Sequence, residues 1–390
     1  MTNSVLTYFD SAPFEIIDGD RGKNYPKQNE FSSSGHCLFL NANNVTRNGF
    51  KFSDCQFISE QKDEALRKGK LQREDVVLTT RGTIGSSAYY NVSIPYDNMR
   101  INSGMVILRC DKNQILPTYL YHFLRSPLFH GQVNSLRSGV AQPQLPIRDM
   151  KWIKLPLPSL SKQIKVASIL SAYDDLIENN RRRIQLLEQA ARLLYREWFV
   201  HLRFPGHEHV KITDGVPEGW EKKQVKDMLA KVKRPGKIKK ADYLYDGPIP
   251  CVDQSREFVG GYTEDEEAVL NDLPMILFGD HTRILKFVDF PFACGADGTQ
   301  LIACNDLKVS QEYLYFALDA LDLSNYFYAR HFKFLKDQFI FRPSDMLIEQ
   351  FTQFARPVMV QIKTLREQNR ELSKARDLLL PGLMNGEVAV

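Results

Sequence analysis

The sequence lacks the features that would place it in a membrane, in a secretory pathway or on a disulfide framework. No run reaches the roughly 18 apolar residues that cross a bilayer, which argues against an integral membrane protein. The N-terminal MTNSVLTYFD has no basic stretch before an apolar core, so we expect no secretory signal. The six cysteines form no CxxC pair, which predicts reduced thiols in a cytoplasmic protein.

Recognisable catalytic motifs are also absent. The sequence has no phosphate-binding loop, no dinucleotide fingerprint, no Asn-Pro-Pro-aromatic tetrapeptide of amino-methyltransferases and no zinc-deaminase pattern. His207-Glu208-His209 lies in a linker with Pro205 and Gly206, which favours a polar connector over a metal site. We therefore predict no catalytic and no metal-binding residues, while scattered carboxylates leave a cryptic active site as an alternative.

Positive charge is concentrated in one segment of the chain. The net charge is only +4, but residues 221–240 contain nine Lys or Arg and two acidic residues. Lysines that neutralise phosphates release counterions and give salt-sensitive affinity for nucleic acid. We predict DNA contact for this segment, and a merely solvated surface is the alternative.

The sequence contains an internal duplication. Tyr119-Leu120-Tyr121 recurs as Tyr313-Leu314-Tyr315, and the same offset of about 194 residues pairs Gly104 with Gly298. Two apolar segments that predict buried strands, 76–78 and 275–277, keep the same order. The shared order favours a duplicated unit over chance similarity between common strand and helix sequences.

Two segments carry apolar residues at the a and d spacing of a coiled coil. The first begins after Pro158 and predicts a helix of about 36 residues, or about 54 Å. In the second, Pro357 predicts a kink or a delayed start, and Pro381-Gly382 predicts the end of the helix. The predicted seam residues are Leu170, Tyr173, Ile177, Asn180, Ile184, Leu187, Ala191 and Leu194 in the first helix, and Val358, Leu365, Leu372 and Leu379 in the second.

A second seam line in the later helix is predicted at Phe354, Gln361, Gln368 and Ala375. Neither helix can bury its stripe alone, so we expect the two to pair antiparallel. The alternative is that each stripe packs on its own globular unit.

These patterns predict an α+β fold. We expect two similar globular domains of mixed α/β structure, separated by an antiparallel two-helix coiled coil and related as a pseudo-twofold internal repeat. The predicted boundaries are 1–155 for the first globular domain, 156–203 for the first helical region, 204–345 for the second domain and 346–390 for the second helical region.

Several motifs resemble those of the specificity subunits of type I restriction-modification systems. The helical regions carry LPLPSL at 155–160, IENNR at 177–181 and LLLPGLMNGE at 378–387. The variable halves carry GDRGKNYP at 19–26 and RGTIG at 81–85, then FGDHTR at 278–283 and GADGT at 295–299. The resemblance extends over essentially the whole chain.

The resemblance implies a subunit of a restriction complex in bacterial defence. Each half would read one part of a bipartite double-stranded DNA target, with the coiled coil as a ruler. Methyltransferase subunits, two of them, would dock on the helical regions, and motor and nuclease subunits would join. S-adenosylmethionine, ATP and Mg²⁺ would bind those partners and no cofactor would bind this chain.

The recognition loops supply the predicted DNA contacts. The predicted residues are Arg21, Lys23, Asn24, Tyr25, Arg81, Thr83, Arg100, Asn102, Gln142, Lys233, Arg234, Lys237, Lys239, Asp253, Gln254, Asp280, His281, Thr282 and Arg283. A stand-alone methyltransferase or nuclease, and a coiled-coil scaffold that binds only protein, remain the alternative functions.

Overall fold

The computed structural model describes residues 5–136, 143–296, 298–324 and 330–388. The chain divides into two compact units: the first unit comprises residues 1–178 and 369–390, and the second unit comprises residues 179–368. None of the helices in the described ranges combines the length and apolar character of a membrane span. The four sequence-based domain boundaries remain a prediction beside this two-unit division.

The first unit is built around two small sheets. A four-stranded antiparallel sheet has the order Phe14–Asp18, Met105–Cys110, Val76–Thr79, Ser87–Tyr89. In a three-stranded sheet, Cys37–Leu40 lies between Phe57–Ile58 and Met99–Ile101, and is parallel to the latter. The remaining strands are the pair Val5–Tyr8 with Lys154–Leu157 and the pair Val45–Thr46 with Gly49–Phe50, and the short helices are Glu60–Ala65, Pro117–Leu124, Pro127–Leu136 and Ile147–Met150.

Alternation along the central strand explains why this sheet is buried on both faces. Val76 and Leu78 lie in one apolar cluster with Leu120 and Phe123 of a helix. Val77, between them, points into a second apolar cluster. Successive strand side chains face opposite sides, so a strand covered on both sides is an unbroken apolar run.

The second unit repeats this plan. Its three-stranded antiparallel sheet has the order Leu285–Val288, Met275–Gly279, Thr299–Ile302. A five-stranded sheet contains Lys237–Ile238, Phe292–Gly295, Ile249–Val252, Gly261–Thr263 and Val269–Leu270. The remaining strands are the pair Glu221–Gln224 with Phe339–Arg342 and the pair Ile212–Thr213 with Val216–Pro217, and the short helices are Gln311–Asp319 and His331–Asp337.

The duplication predicted from the sequence extends to strand register and to single hydrogen bonds. Met105 lies opposite Thr79 in the first unit, and Thr299 lies opposite Gly279 in the second. The Tyr119 hydroxyl donates to the Pro156 carbonyl at 2.8 Å, and the Tyr313 hydroxyl donates to the Phe341 carbonyl at 2.7 Å. The predicted fold class, with two similar mixed units and long helices, is confirmed.

Two long helices, Leu160–Tyr195 and Asp345–Asn385, contribute to both units. Inside the first unit they run antiparallel, with Arg376 paired to Asp174 at 2.6 Å. Inside the second unit they also run antiparallel, with Arg366 paired to Glu188 at 3.0 Å. The antiparallel pairing expected from the heptads is therefore present within each unit.

The predicted seam residues lie at or near the buried side of each helix. Leu170, Ile177, Asn180, Ala191, Val358 and Leu365 are buried, while Tyr173, Ile184, Leu187, Leu194, Leu372 and Leu379 are half-buried. The helix ends also enter the core of each unit, as Leu170 and Leu383 do in the first and Ala191 and Phe351 in the second. Both modes of burial considered for the stripes therefore occur.

The second seam line predicted for the later helix was wrong by one position in its first half. Phe354 is 41% exposed and Gln361 is exposed, whereas Ala355 and Ile362 are buried. In its second half, Ala375 is half-buried, and the exposed Gln368 accepts a hydrogen bond from the seam residue Asn180 at 3.5 Å. A line of residues seven apart fixes only half of a seam. The partner helix decides whether the other half lies three or four residues further along.

The predicted delayed start at Pro357 and the predicted end at Pro381-Gly382 were also wrong. The helix begins at Asp345, before Pro357, and it continues through Pro381 to Asn385. Interior proline removes one helical hydrogen bond and costs about 3 kcal/mol. Burial of Phe351, Ala355 and Val358 around Pro357 outweighs that cost.

Replacing Pro357 by alanine should stabilise the second unit. Pro357→Ala restores a helical amide at an exposed position, so we expect the free energy of unfolding to rise by about 1–3 kcal/mol. Urea-induced unfolding of the full chain measures it. Pro381→Ala, near the helix end, should give a smaller gain, and a destabilised Pro357→Ala chain would contradict the argument.

Candidate nucleic-acid interface

Three segments of the first unit meet at the end of its central sheet. The backbone amides of Thr80 and Arg81 donate to the Gly104 carbonyl at 2.8 and 3.1 Å. The Leu145 amide donates to the Thr80 carbonyl at 2.9 Å. The Asn102 side chain accepts the Gly104 amide at 2.9 Å, which closes the turn between two strands. We call this arrangement the paired-turn frame.

The second unit forms the same frame from equivalent positions. The Asp280 amide donates to the Gly298 carbonyl at 2.7 Å, and the His331 amide donates to the Asp280 carbonyl at 2.9 Å. A Cβ on Gly298 would lie 2.5 Å from the His281 ring, and the φ of this glycine is +70°. Both facts require glycine at this turn.

A further loop lies against each frame. In the first unit, the Thr83 hydroxyl is 3.3 Å from the carbonyls of Ala42 and Val45, which follow the strand Cys37–Leu40. In the second unit, the Thr282 hydroxyl donates to the Gln254 carbonyl at 2.7 Å, just after the strand Ile249–Val252. The Gln254 side-chain oxygen also accepts the His281 amide at 3.0 Å.

The two frames carry different side chains on the same backbone. Arg81 in the first unit and His281 in the second occupy equivalent positions, and both are exposed. Thr83, Thr282 and Arg283 are exposed beside them. Arginine, histidine, threonine and glutamine can all donate hydrogen bonds to base edges or phosphates.

A basic loop lies beside the first frame. The buried Asp20 carboxylate accepts the amides of Gly22 at 2.6 Å and Arg67 at 2.7 Å. Burial raises the pKa of Asp20, but these amide hydrogen bonds outweigh it and hold the pKa below its ordinary value. Arg21, on this loop, donates to the Ser103 carbonyl at 3.3 Å, so the loop contacts the paired turns.

The four predicted residues of this loop differ in their surroundings. Arg21 and Lys23 are exposed. The Asn24 amide donates to the Ala65 carbonyl at 3.0 Å, and the Tyr25 ring packs edge-on against Phe39. Asn24 and Tyr25 are therefore structural in this conformation.

The basic segment of the second unit runs along its frame. Arg234 donates to the Gln300 side chain at 2.6 Å. Strand Lys237–Ile238 pairs with Phe292–Gly295, and the Ala296 amide donates to the Ile238 carbonyl at 2.8 Å. Exposed Lys233, Lys237 and Lys239 consequently flank the turn that contains Gly298.

Three residues predicted to contact DNA are buried inside the protein. We assign them instead to internal ion pairs and hydrogen bonds that hold the loops of the candidate interface. Arg100 is 5% exposed and pairs with the buried Asp63 carboxylate. Asp253 is 6% exposed and accepts the Ser255 amide at 2.9 Å. Asp280 is 4% exposed, and its carboxylate accepts the Phe332 amide at 2.8 Å. Buried charges need such partners, which sequence alone does not reveal.

Asn102 is half-buried and used within its own turn, and Gln142 lies outside the described residues. Sequence reasoning missed the loop Asn41–Asn44 and the contacts of Leu145 and His331. Three asparagines among the four residues 41–44, directly after the buried Cys37–Leu40 strand, could have indicated the loop, because asparagine favours turns.

Arg100 and Arg81 should behave differently when truncated. Arg100→Met removes one of the two cations that pair with the buried Asp63 carboxylate, Lys70 being the other, and takes a donor from the Lys68 and Leu66 carbonyls, so we expect unfolding of the first unit to become easier by about 3 kcal/mol. Arg81→Ala, at an exposed position, should change stability by less than about 0.5 kcal/mol. Urea denaturation of both variants measures this, and equal effects would refute the reassignment of Arg100.

Comparison with known proteins shows which proteins this chain resembles. A family model described as the type I restriction modification DNA specificity domain matches residues 14–189, which include the first paired-turn frame. The MjaIX specificity subunit of Methanocaldococcus jannaschii is 25% identical over 342 residues, 81% of this chain and 78% of that protein. The HindI specificity subunit of Haemophilus influenzae is 28% identical over 185 residues, 47% of this chain and 39% of that protein.

A solved structure shares the fold. The crystal structure of a type I restriction-modification S subunit from M. genitalium superposes with a TM-score of 0.56 at 16% identity, covering 98% of this chain and 99% of that one. The chain is thus similar to type I restriction-modification specificity subunits, over 81% of its length in the case of the MjaIX subunit.

Proposed function

We propose that this chain reads a bipartite DNA sequence for a type I restriction-modification complex, with one half-site contacted by each unit. The paired-turn frame of each unit presents its exposed side chains to the bases. The flanking basic loops contact phosphates and position the duplex.

The observation that carries this proposal is that one backbone frame occurs twice with different side chains. Thr80 and Asp280 hold equivalent turns by the same hydrogen bond, while Arg81 and His281 differ at the next position. The backbone geometry is the same in both units, while the hydrogen-bond donors and acceptors of the exposed side chains differ. This combination is what two sites that read two different DNA sequences require. A purely structural duplication would not require exposed polar side chains at these turns.

The exposed lysines of the second unit support a sequence-independent contribution to binding. Lys233, Lys237 and Lys239 lie beside the frame on an exposed segment, where they can neutralise phosphates. Phosphate contacts fix the register of a protein on the duplex, and base contacts provide the selectivity.

The long helices are proposed as the ruler between the half-sites. Helix Leu160–Tyr195 has 36 residues, so its length is about 54 Å. A straight duplex of that length has about 16 base pairs. Antiparallel pairing of the two helices within each unit supports a stiff element, since paired helices bend less than a single one.

The helices are also the proposed docking region for methyltransferase subunits, two per complex, with motor and nuclease subunits joining them in the cytoplasm. Adenine methylation and DNA cleavage, with their S-adenosylmethionine, ATP and Mg²⁺, are assigned to those partners.

A footprint of the assembled methyltransferase tests the two-half-site proposal. The recognition sequence is first obtained by mapping methylated adenines in cells with and without the gene. We expect two protected segments at one fixed spacing, and loss of each segment with mutations in one half-site only. A single contiguous protected site would contradict it, and activity of the purified chain alone would favour the stand-alone enzyme.

Lengthening both long helices tests the ruler. Insertion of seven residues after Glu178 and seven after Gln368 keeps the heptad phase of the antiparallel pair and adds about 10 Å. We expect the preferred gap between half-sites to grow by about three base pairs, as measured by selection from a randomised-spacing library. A four-residue insertion in one helix, which shifts the seam, should abolish selection, and an unchanged gap in the seven-residue variant would refute the ruler.

A further inference from the structure

In the second unit, one short loop connects the interface to a long helix. This loop, residues 253–258, follows the strand Ile249–Val252, and we call it the second-unit loop. Its Gln254 backbone carbonyl accepts the Thr282 hydroxyl, and its Gln254 side chain accepts the His281 amide. The N-terminal end of the loop is thus part of the paired-turn contacts.

The C-terminal end of the loop is held by hydrogen bonds from a buried lysine. Lys286, on the strand Leu285–Val288, is 4% exposed. Its ammonium donates to the Glu257 carbonyl at 2.5 Å and to the Phe258 carbonyl at 3.3 Å, and lies 3.9 Å from the Asp253 carboxylate. The lysine therefore joins both ends of the loop.

A second cation reaches the same loop from the long helix Asp345–Asn385. The Arg366 guanidinium lies 3.8 Å from the centre of the Phe258 ring, a cation–π contact. Arg366 also pairs with Glu188 of the other long helix at 3.0 Å. One side chain thus contacts the loop and both long helices within the second unit.

A cavity of about 110 Å³ lies beside the loop and is lined by Phe258, Lys286, Arg366 and Glu188, among others. Phe258 also packs against Phe290, with ring centres 6.0 Å apart. Packing contributes less where a cavity replaces contacting atoms. At the cavity the loop is contacted by Lys286 and Arg366.

The first unit supports its equivalent loop differently. Ala88 occupies the strand position that Lys286 takes in the second unit, since Ala88 pairs with Val77 and Lys286 pairs with Leu277. There the loop after Cys37–Leu40 is held by Asn44, whose amide donates to the carbonyls of Lys51 and Asp54 at 3.0 and 2.9 Å. The link from loop to long helix through a buried lysine and an arginine is a feature of the second unit.

We propose that Arg366 is a positioning residue that sets base discrimination at the half-site of the second unit, by holding Phe258 and hence the second-unit loop against the paired turns. This inference rests on the proposed DNA-reading function. It makes specificity at one half-site dependent on a residue of the long helix that touches no base.

Arg366→Ala and Phe258→Leu each remove one partner of the cation–π contact between the long helix and the second-unit loop. The assembled methyltransferase is offered duplexes with the cognate sequence and with single substitutions in either half-site. The half-site of the second unit is identified as the half at which His281→Ala relaxes discrimination. Arg366→Lys, which keeps the charge beside Glu188 but loses the planar contact with Phe258, serves where the alanine variant does not fold. Arg356→Ala is the matched control, because Arg356 lies on the same helix and pairs with Glu312 instead of the loop.

We expect the ratio of cognate to mismatched methylation to fall about tenfold at the second-unit half-site in both test variants, and to stay within about twofold at the other half-site. The double variant should resemble either single variant, because both remove one contact. Arg356→Ala should leave both ratios unchanged.

Folded variants with unchanged discrimination would overturn the proposal, as would an equal loss at both half-sites, which indicates a structural role. Failure of the wild-type complex to methylate any bipartite sequence would instead reject the proposed function. The two failures are therefore distinguishable.

Discussion

The candidate interface of each unit depends on a hydrogen bond from a turn amide to a glycine carbonyl that both units share. Thr80 donates to Gly104, and Asp280 donates to Gly298. Each bond extends the pairing of two neighbouring strands into the turns at their ends. Because the bond is made by backbone atoms, it leaves the neighbouring side chains unconstrained. The same frame can therefore present Arg81 in one unit and His281 in the other.

The supports of the frames differ more than the frames themselves. In the first unit, the buried Asp20 carboxylate and the Arg100–Asp63 ion pair hold the surrounding loops. In the second unit, Lys286 and Arg366 hold the loop next to the frame. The two units share the backbone geometry of the frame but hold it with different buried residues. A duplicated unit can in this way change what it contacts without losing its fold.

Local sequence patterns were sufficient for much of the fold. The apolar runs at 76–78 and 275–277 form the central strands, and the helix predicted after Pro158 spans Leu160–Tyr195. These elements follow from periodicity and capping, which are properties of neighbouring residues.

The errors occurred where long-range contacts decide the outcome. The one-residue displacement from Phe354 to Ala355 depends on the partner helix, and the tolerance of Pro357 depends on the apolar core around it. Likewise Arg100 and Asp280 have the chemistry of DNA contacts, but burial and internal partners use it within the protein. A residue type indicates what a side chain can bond, and only the fold determines with which group.

Site-specific crosslinking tests the central claim most directly. A photoreactive amino acid is placed at Arg81 in one chain and at His281 in another, and each assembled complex is irradiated on its recognised duplex. The account predicts crosslinks to two different DNA segments, one per substituted position, separated by the unread gap. Crosslinks from both positions to the same segment, or to protein alone, would contradict it.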